Sequence, residues 1–179
     1  MAIIFGLTLY FSTWSFGMLL FCLVLLGLIE TSDLLDGFSA RRLGIVSEEG
    51  AMLDPYADSV SRLIVFWSLA ASTVKGTHYI IFLVPLVMAV RDVTVAYSRI
   101  VLTRHNRSVA AKRSGKIKAI VQGVGAFLIL LGPIYWGLIG TWTTGVLSWI
   151  VIIATGASVV EYAASAISVT IEEGRKAKP

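Results

Sequence analysis

Apolar and polar positions alternate along this chain in long blocks, not with the short periods of an ordinary amphipathic domain. Six apolar segments stand out: Ala2 to Phe11, Phe16 to about Arg42, Gly50 to about Ser72, His78 to about Thr103, Ile117 to about Tyr135 and Thr144 to about Val169. A membrane-crossing helix needs about 20 mostly apolar residues. The last five segments reach that length and the first does not, and the polar break Ser12-Thr13-Trp14-Ser15 separates the first from the second. The pattern predicts an all-α, polytopic membrane helical bundle of six transmembrane helices, the first of them truncated. Residues 1–171 form the membrane-embedded domain, and residues 172–179 form a charged, frayed tail.

Composition sharpens this reading. Apolar residues make up 56% of the chain and charged residues 15%, with a mean hydropathy of +0.82. At 179 residues a water-soluble domain could not hide that much apolar surface, so lipid is the expected solvent. The net charge of +4 is gathered in short clusters between apolar runs. That distribution predicts topology, and no aromatic-interleaved basic stripe suggests a nucleic-acid partner. Arg41 and Arg42 follow the second segment. Arg104, Arg107, Lys112, Arg113, Lys116 and Lys118 follow the fourth, Arg175, Lys176 and Lys178 form the tail, and the opposite side has only Lys75. The basic side, with both termini, is expected to be cytoplasmic, with Trp136 and Trp142 flanking the last outer loop. His78 falls at the outer interface and His105 in the basic loop, both solvated. The sequon Asn106-Arg107-Ser108 lands on the cytoplasmic side and is read as chance. Cys22, the only cysteine, reads as a small buried or lipid-facing residue.

Ionisable residues inside membrane segments are costly and mark function by default. Asp33 and Asp36 are three apart and share one helix face, and Asp54 and Asp58 are four apart and share another. If the second and third segments pair antiparallel across residues 43–49, the four carboxylates converge. Such a set either takes up protons or is neutralised by cations. Oxygen donors without His or Cys favour Mg²⁺, Mn²⁺ or Ca²⁺ over zinc, and two such ions are standard apparatus for moving a phosphoryl group. Gly37 and Ala40 offer a close-approach surface, Arg41 a phosphate donor, and Gly50 precedes Asp54 by one turn. The plainer reading is that the aspartates pair with Arg41, Arg42 and Arg62 to set topology. Arg62, at i+4 from Asp58, suits an ion pair and a part in catalysis equally well.

These residues fill every fixed position of D-x2-D-G-x2-A-R-x8-G-x3-D-x3-D, from Asp33 to Asp58. In this the chain resembles the CDP-alcohol phosphatidyltransferase family. The resemblance implies a six-helix homodimer with its active site open to the cytoplasmic leaflet of a bacterial inner membrane. It implies transfer of a phospho-alcohol group from a CDP-linked donor, with release of CMP. Asp33, Asp36, Asp54 and Asp58 would hold two divalent ions, Mg²⁺ or Mn²⁺, and Asp58 would also act as the base. Asp33, Gly37, Ala40, Arg41 and Gly50 would bind the CDP donor.

A second stretch narrows the likeness. Arg91-Asp92 followed by Arg99, then Gly115-Lys116-Ile117-Lys118 and Gln122, resembles the R-[DE]-x6-R and G-K-x-K-T-x2-Q patterns of the bacterial phosphatidylglycerophosphate synthase branch. On that likeness the donor is CDP-diacylglycerol and the acceptor glycerol 3-phosphate. Arg91, Arg99, Lys116 and Lys118 would bind the acceptor phosphate, although Lys118 at a helix end equally suits a topological role or a contact with lipid phosphates. Inositol phosphate, serine or another alcohol are the alternative acceptors, and a divalent-cation transporter is the alternative of another class. Ser59 stands where the branch usually has Lys, Ala119 where it has Thr, and the family's first-helix pattern is missing. Gly123 and Gly125 suit close helix packing.

Overall fold

The computed structural model describes residues 1–11, 15–43, 48–72, 79–104, 113–135 and 137–176. The described residues are almost entirely helical and contain no strand. Lipid explains this uniformity, because a backbone without water to bond must satisfy its own N–H and C=O groups, as a helix does. Six α-helices follow one another: α1 Ala2–Phe11, α2 Phe16–Leu43, α3 Glu48–Ser72, α4 Leu83–Arg104, α5 Arg113–Tyr135 and α6 Gly137–Lys176. A 3-10 turn, Tyr79–Phe82, leads into α4. Pro85 sits in the first turn of α4, where its missing N–H has no helical partner to lose.

Each expected segment is a helix, and the sixth is longer than expected at both ends. It begins at Gly137, so residues 137–143 are helix where an outer loop was expected. It also continues through Lys176, into the expected tail. Three helical stretches among the described residues are long and apolar enough to cross a membrane: Tyr79–Arg104, Gly115–Gly132 and Thr141–Glu172. Ala2–Phe11 and Phe16–Ser32 are shorter apolar helices.

The helices surround one apolar cluster to which all six contribute, with Phe5, Leu26, Phe66, Met88, Ile129 and Val151 among its buried members. Cys22 is fully buried in the same cluster. α1 lies on α3 and α2, α6 lies on α4 and α5, and α5 also touches α2 and α3. The α5–α6 pair runs antiparallel. Gly125 meets Val151, Gln122 donates from Nε2 to Thr155 Oγ1 at 3.1 Å, and Gly115 faces Tyr162.

The distribution of polarity is the reverse of a water-soluble bundle. Val93, Ile120, Val124, Ile153 and Val160 face outward, while Arg62, Arg91, Lys118, Gln122, Ser148 and Thr155 are buried. Apolar residues outside and ionisable ones inside suit lipid as solvent, and the three long apolar helices mark an integral membrane protein.

Candidate active site

Asp33 and Asp36 lie on α2, and Asp54 and Asp58 on α3. Gly37, Ala40 and Arg41 follow on α2, and Gly50 opens α3. Of this set Asp58 is the member whose side chain is described. The side chains of Asp33, Asp36, Gly37, Ala40, Arg41, Gly50 and Asp54 lie outside the described residues, as do Lys75, His78, His105 to Lys112, Trp136 and Lys178. Among the described residues no three His, Cys, Asp or Glu side chains come together.

Asp58 is held by Arg62, one turn along α3. Arg62 Nε donates to Asp58 Oδ1 at 2.5 Å. The other edge of the same guanidinium reaches α2: Nη1 donates to Glu30 Oε1 at 3.2 Å and Nη2 to Glu30 Oε2 at 3.1 Å. Nη1 also donates to the Ala119 carbonyl of α5 at 3.3 Å. One cation thus joins three helices. Its side chain is only 7% exposed, so a guanidinium stripped of its carboxylates would be an uncompensated buried charge, costing about 3–5 kcal/mol. A cleft of about 280 Å³ runs beside this group, lined by Ser32, Ala57, Ser61, Glu30, Asp58 and Arg62 among others.

A second buried polar group lies between α4, α5 and α6. Arg91 is 9% exposed. Its Nε donates to Ser158 Oγ on α6 at 3.0 Å, and its Nη1 to Asp92 Oδ1 at 2.7 Å. Its guanidinium carbon stands 5.9 Å from the centre of the Tyr162 ring, a cation–π contact. Asp92 Oδ2 and Arg99 Nε are both buried and have no hydrogen-bond partner among the described residues.

Lys118 connects the two groups. It is 3% exposed, and the charges of Arg91 and Asp92 on one side and of Asp58 and Arg62 on the other act on it. That burial argues against a contact with lipid phosphates. Lys116, two residues earlier, is exposed. Of the four expected phosphate-binding cations, Arg91 and Lys118 are buried, Arg99 has its Nε buried, and Lys116 is exposed.

The family model of CDP-alcohol phosphatidyltransferase matches residues 1–160. The chain belongs to the CDP-alcohol phosphatidyltransferase family. Among its CDP-alcohol phosphatidyltransferase relatives are three CDP-diacylglycerol–glycerol-3-phosphate 3-phosphatidyltransferases. The Treponema pallidum protein is 32% identical over 108 residues, which is 60% of this chain and 48% of that protein. The Bacillus subtilis protein is 27% identical over 139 residues, 78% of this chain and 69% of that one. The Mycoplasma genitalium protein is 38% identical over 94 residues, 52% and 38% respectively. The match thus spans about half the length of the Treponema relative, and less of the Mycoplasma one.

Glu30 lies outside the motif and the expected site. A signal was available, since Glu30 ends an uninterrupted apolar run from Phe16 and lies one turn before Asp33, where an ionisable residue is costly. Ser158 and Tyr162 carry no such signal, because Ser and Tyr are unremarkable in a membrane segment until a neighbouring helix brings an arginine to them.

Proposed function

We propose that the chain transfers the phosphatidyl group of CDP-diacylglycerol to the hydroxyl of glycerol 3-phosphate and releases CMP. The observation that carries this reading is the burial of the cations Arg62, Arg91 and Lys118 inside the bundle, with Asp58 bonded to Arg62 and within electrostatic reach of Lys118, in a family whose relatives include three proteins with that activity in their names.

Asp33, Asp36, Asp54 and Asp58 would hold the two divalent ions, Mg²⁺ or Mn²⁺, and this all-carboxylate oxygen set suits hard cations. Asp58, the described member, lines an open cleft through which a cation could reach it. When bound, the ions supply neutralisation of the diphosphate and of the charge that develops on the departing CMP. The chain's own residues do the rest. Asp33, Gly37, Ala40, Arg41 and Gly50 bind the cytidine and its phosphates. Arg91 and Lys118 bind the acceptor's phosphate, with Arg99 and Lys116 at the rim of that pocket. Arg62 occupies one oxygen of Asp58, so the second oxygen accepts the proton of the acceptor hydroxyl. The acceptor oxygen then bonds to the phosphorus that carries diacylglycerol, and the bond from that phosphorus to CMP breaks. The donor's acyl chains cannot leave the bilayer, so the cleft opens sideways to lipid. The active form is a homodimer in a bacterial inner membrane, with the site and both termini facing the cytoplasm.

Purified protein given CDP-diacylglycerol and Mg²⁺ or Mn²⁺ tests this against a panel of glycerol 3-phosphate, inositol phosphate and serine. CMP is expected with glycerol 3-phosphate alone, and Asp58→Asn is expected to reduce it to background. CMP with a different acceptor overturns the acceptor assignment. No CMP with any acceptor overturns the reaction, and wild-type turnover by Asp58→Asn overturns the base.

A further inference from the structure

We infer that Glu30 is a positioning residue for Asp58, acting through Arg62; this rests on the role proposed above for Asp58. A guanidinium is a rigid fork whose donors lie in one plane at fixed angles. In Arg62 the two terminal nitrogens are taken by Glu30, at 3.2 and 3.1 Å, and Nε by Asp58. A bidentate pair fixes the plane of the guanidinium as well as its position. With that plane fixed by a carboxylate from α2, the direction of the Nε–H bond is fixed too, and Asp58 Oδ1 sits at its end. Without Glu30 the side chain regains rotamers that leave Asp58 to find its own orientation.

The approach of Glu30 is itself built in. A Cβ at Gly123 of α5 would stand 3.0 Å from Glu30 Oε2 and 3.3 Å from its Cδ. Glycine at 123 therefore leaves room for the carboxylate to reach Arg62 between α3 and α5. The Ala119 carbonyl, one turn earlier on α5, takes a further Arg62 bond at 3.3 Å. Two features four residues apart on α5 thus serve one guanidinium. A pair that only tied α2 to α3 would not require the third donor of the same group to end on the family's last motif aspartate.

The test uses three variants, Glu30→Gln, Arg62→Lys and Gly123→Ala, each compared with wild type in two ways. The first is Mn²⁺ affinity in the absence of substrate, read by electron paramagnetic resonance. The second is steady-state CMP release, with the melting midpoint measured alongside. Glu30→Gln keeps shape but loses charge. Arg62→Lys keeps charge but loses the fork, and Gly123→Ala pushes Glu30 without touching Asp58. The expected result is a fall in Mn²⁺ affinity and in kcat on the order of 10- to 100-fold for Glu30→Gln, the range seen when a group that orients a metal ligand is removed. KM for CDP-diacylglycerol is expected to be nearly unchanged. Gly123→Ala should act in the same direction and less than additively with Glu30→Gln, because both disturb one contact. Wild-type Mn²⁺ affinity and kcat in Glu30→Gln overturn the positioning role and leave the reaction standing. A loss of activity matched by loss of folded protein, with Mn²⁺ affinity per folded molecule unchanged, assigns the pair to stability and overturns it too. If wild type releases no CMP from any acceptor, the reaction assignment falls, and the Mn²⁺ comparison still decides whether Glu30 positions Asp58.

Discussion

Arg91 makes three directional contacts from a nearly closed position: Ser158 on α6, Asp92 on its own helix and the face of Tyr162. Two of them use different nitrogens of one fork, which an ammonium cannot reproduce. Under the proposed reaction, Arg91→Lys is expected to raise KM for glycerol 3-phosphate by about 10-fold or more, the loss of one charge-assisted bond. KM for CDP-diacylglycerol should stay close to wild type, so steady-state kinetics with each substrate varied in turn checks the assignment. Equal rises in both would place Arg91 in general scaffolding. At this scale Asp58 and Arg91 stand out in the sequence, because charge in an apolar segment is conspicuous, and the structure gives both of them partners. The Arg62 ion pair was legible as one of two open readings. The partners Glu30, Ser158 and Tyr162 were not read, since spacing along one helix says nothing about which residue of another helix faces it.

Close packing between α5 and α6 depends on Gly125. A Cβ there would stand 2.9 Å from Val151 Cγ2, and Val151 is 1% exposed in the apolar cluster. A methyl at that distance must displace a branched side chain whose rotamers are few. Gly125→Ala is therefore expected to destabilise the bundle by about 1–3 kcal/mol, the usual cost of overpacking. Val151→Ala in the same chain should recover part of the loss, and melting midpoints in detergent measure both. Polar residues near the start of α6 stay helical. Gly137, Gly140, Thr141 and Thr143 resemble a loop in a hydropathy profile, and α6 takes them in. Thr144 is fully buried, and Ser148 Oγ donates to its carbonyl at 2.8 Å. Hydroxyls that bond back to their own helix do not interrupt it, so a profile tuned to lipid-facing surface begins the segment too late and ends it too early.

Across the whole molecule, the length of α6 stands out. Its 40 residues span about 60 Å, twice the roughly 30 Å hydrocarbon core of a bilayer. At least one end must leave the membrane or the helix must tilt steeply. Trp142 near one end and Arg175 near the other are both exposed. With the buried Cys22 replaced by alanine, single-cysteine variants Trp142→Cys and Arg175→Cys are expected to react with a membrane-impermeant thiol reagent from opposite sides of sealed vesicles. Arg175→Cys should react from the cytoplasmic side, as the clustered Lys and Arg require. Labelling of both from one side would overturn the crossing of α6.

The sequence alone determined the solvent, the helical class, the approximate positions of six helices and the motif by which the chain resembles its family. Each of these depends on local composition or on spacing within one segment, and a helix in lipid leaves the backbone few alternatives. Only the tertiary structure decided which helices meet. It put Glu30 of α2 on Arg62 of α3 under a glycine of α5, and it buried Lys118 within electrostatic reach of both Asp58 and Arg91. Those placements depend on side-chain volume and hydrogen-bond geometry between segments far apart in the chain. Apolar periodicity carries no record of them, because lipid-facing and helix-facing positions are nearly equally apolar.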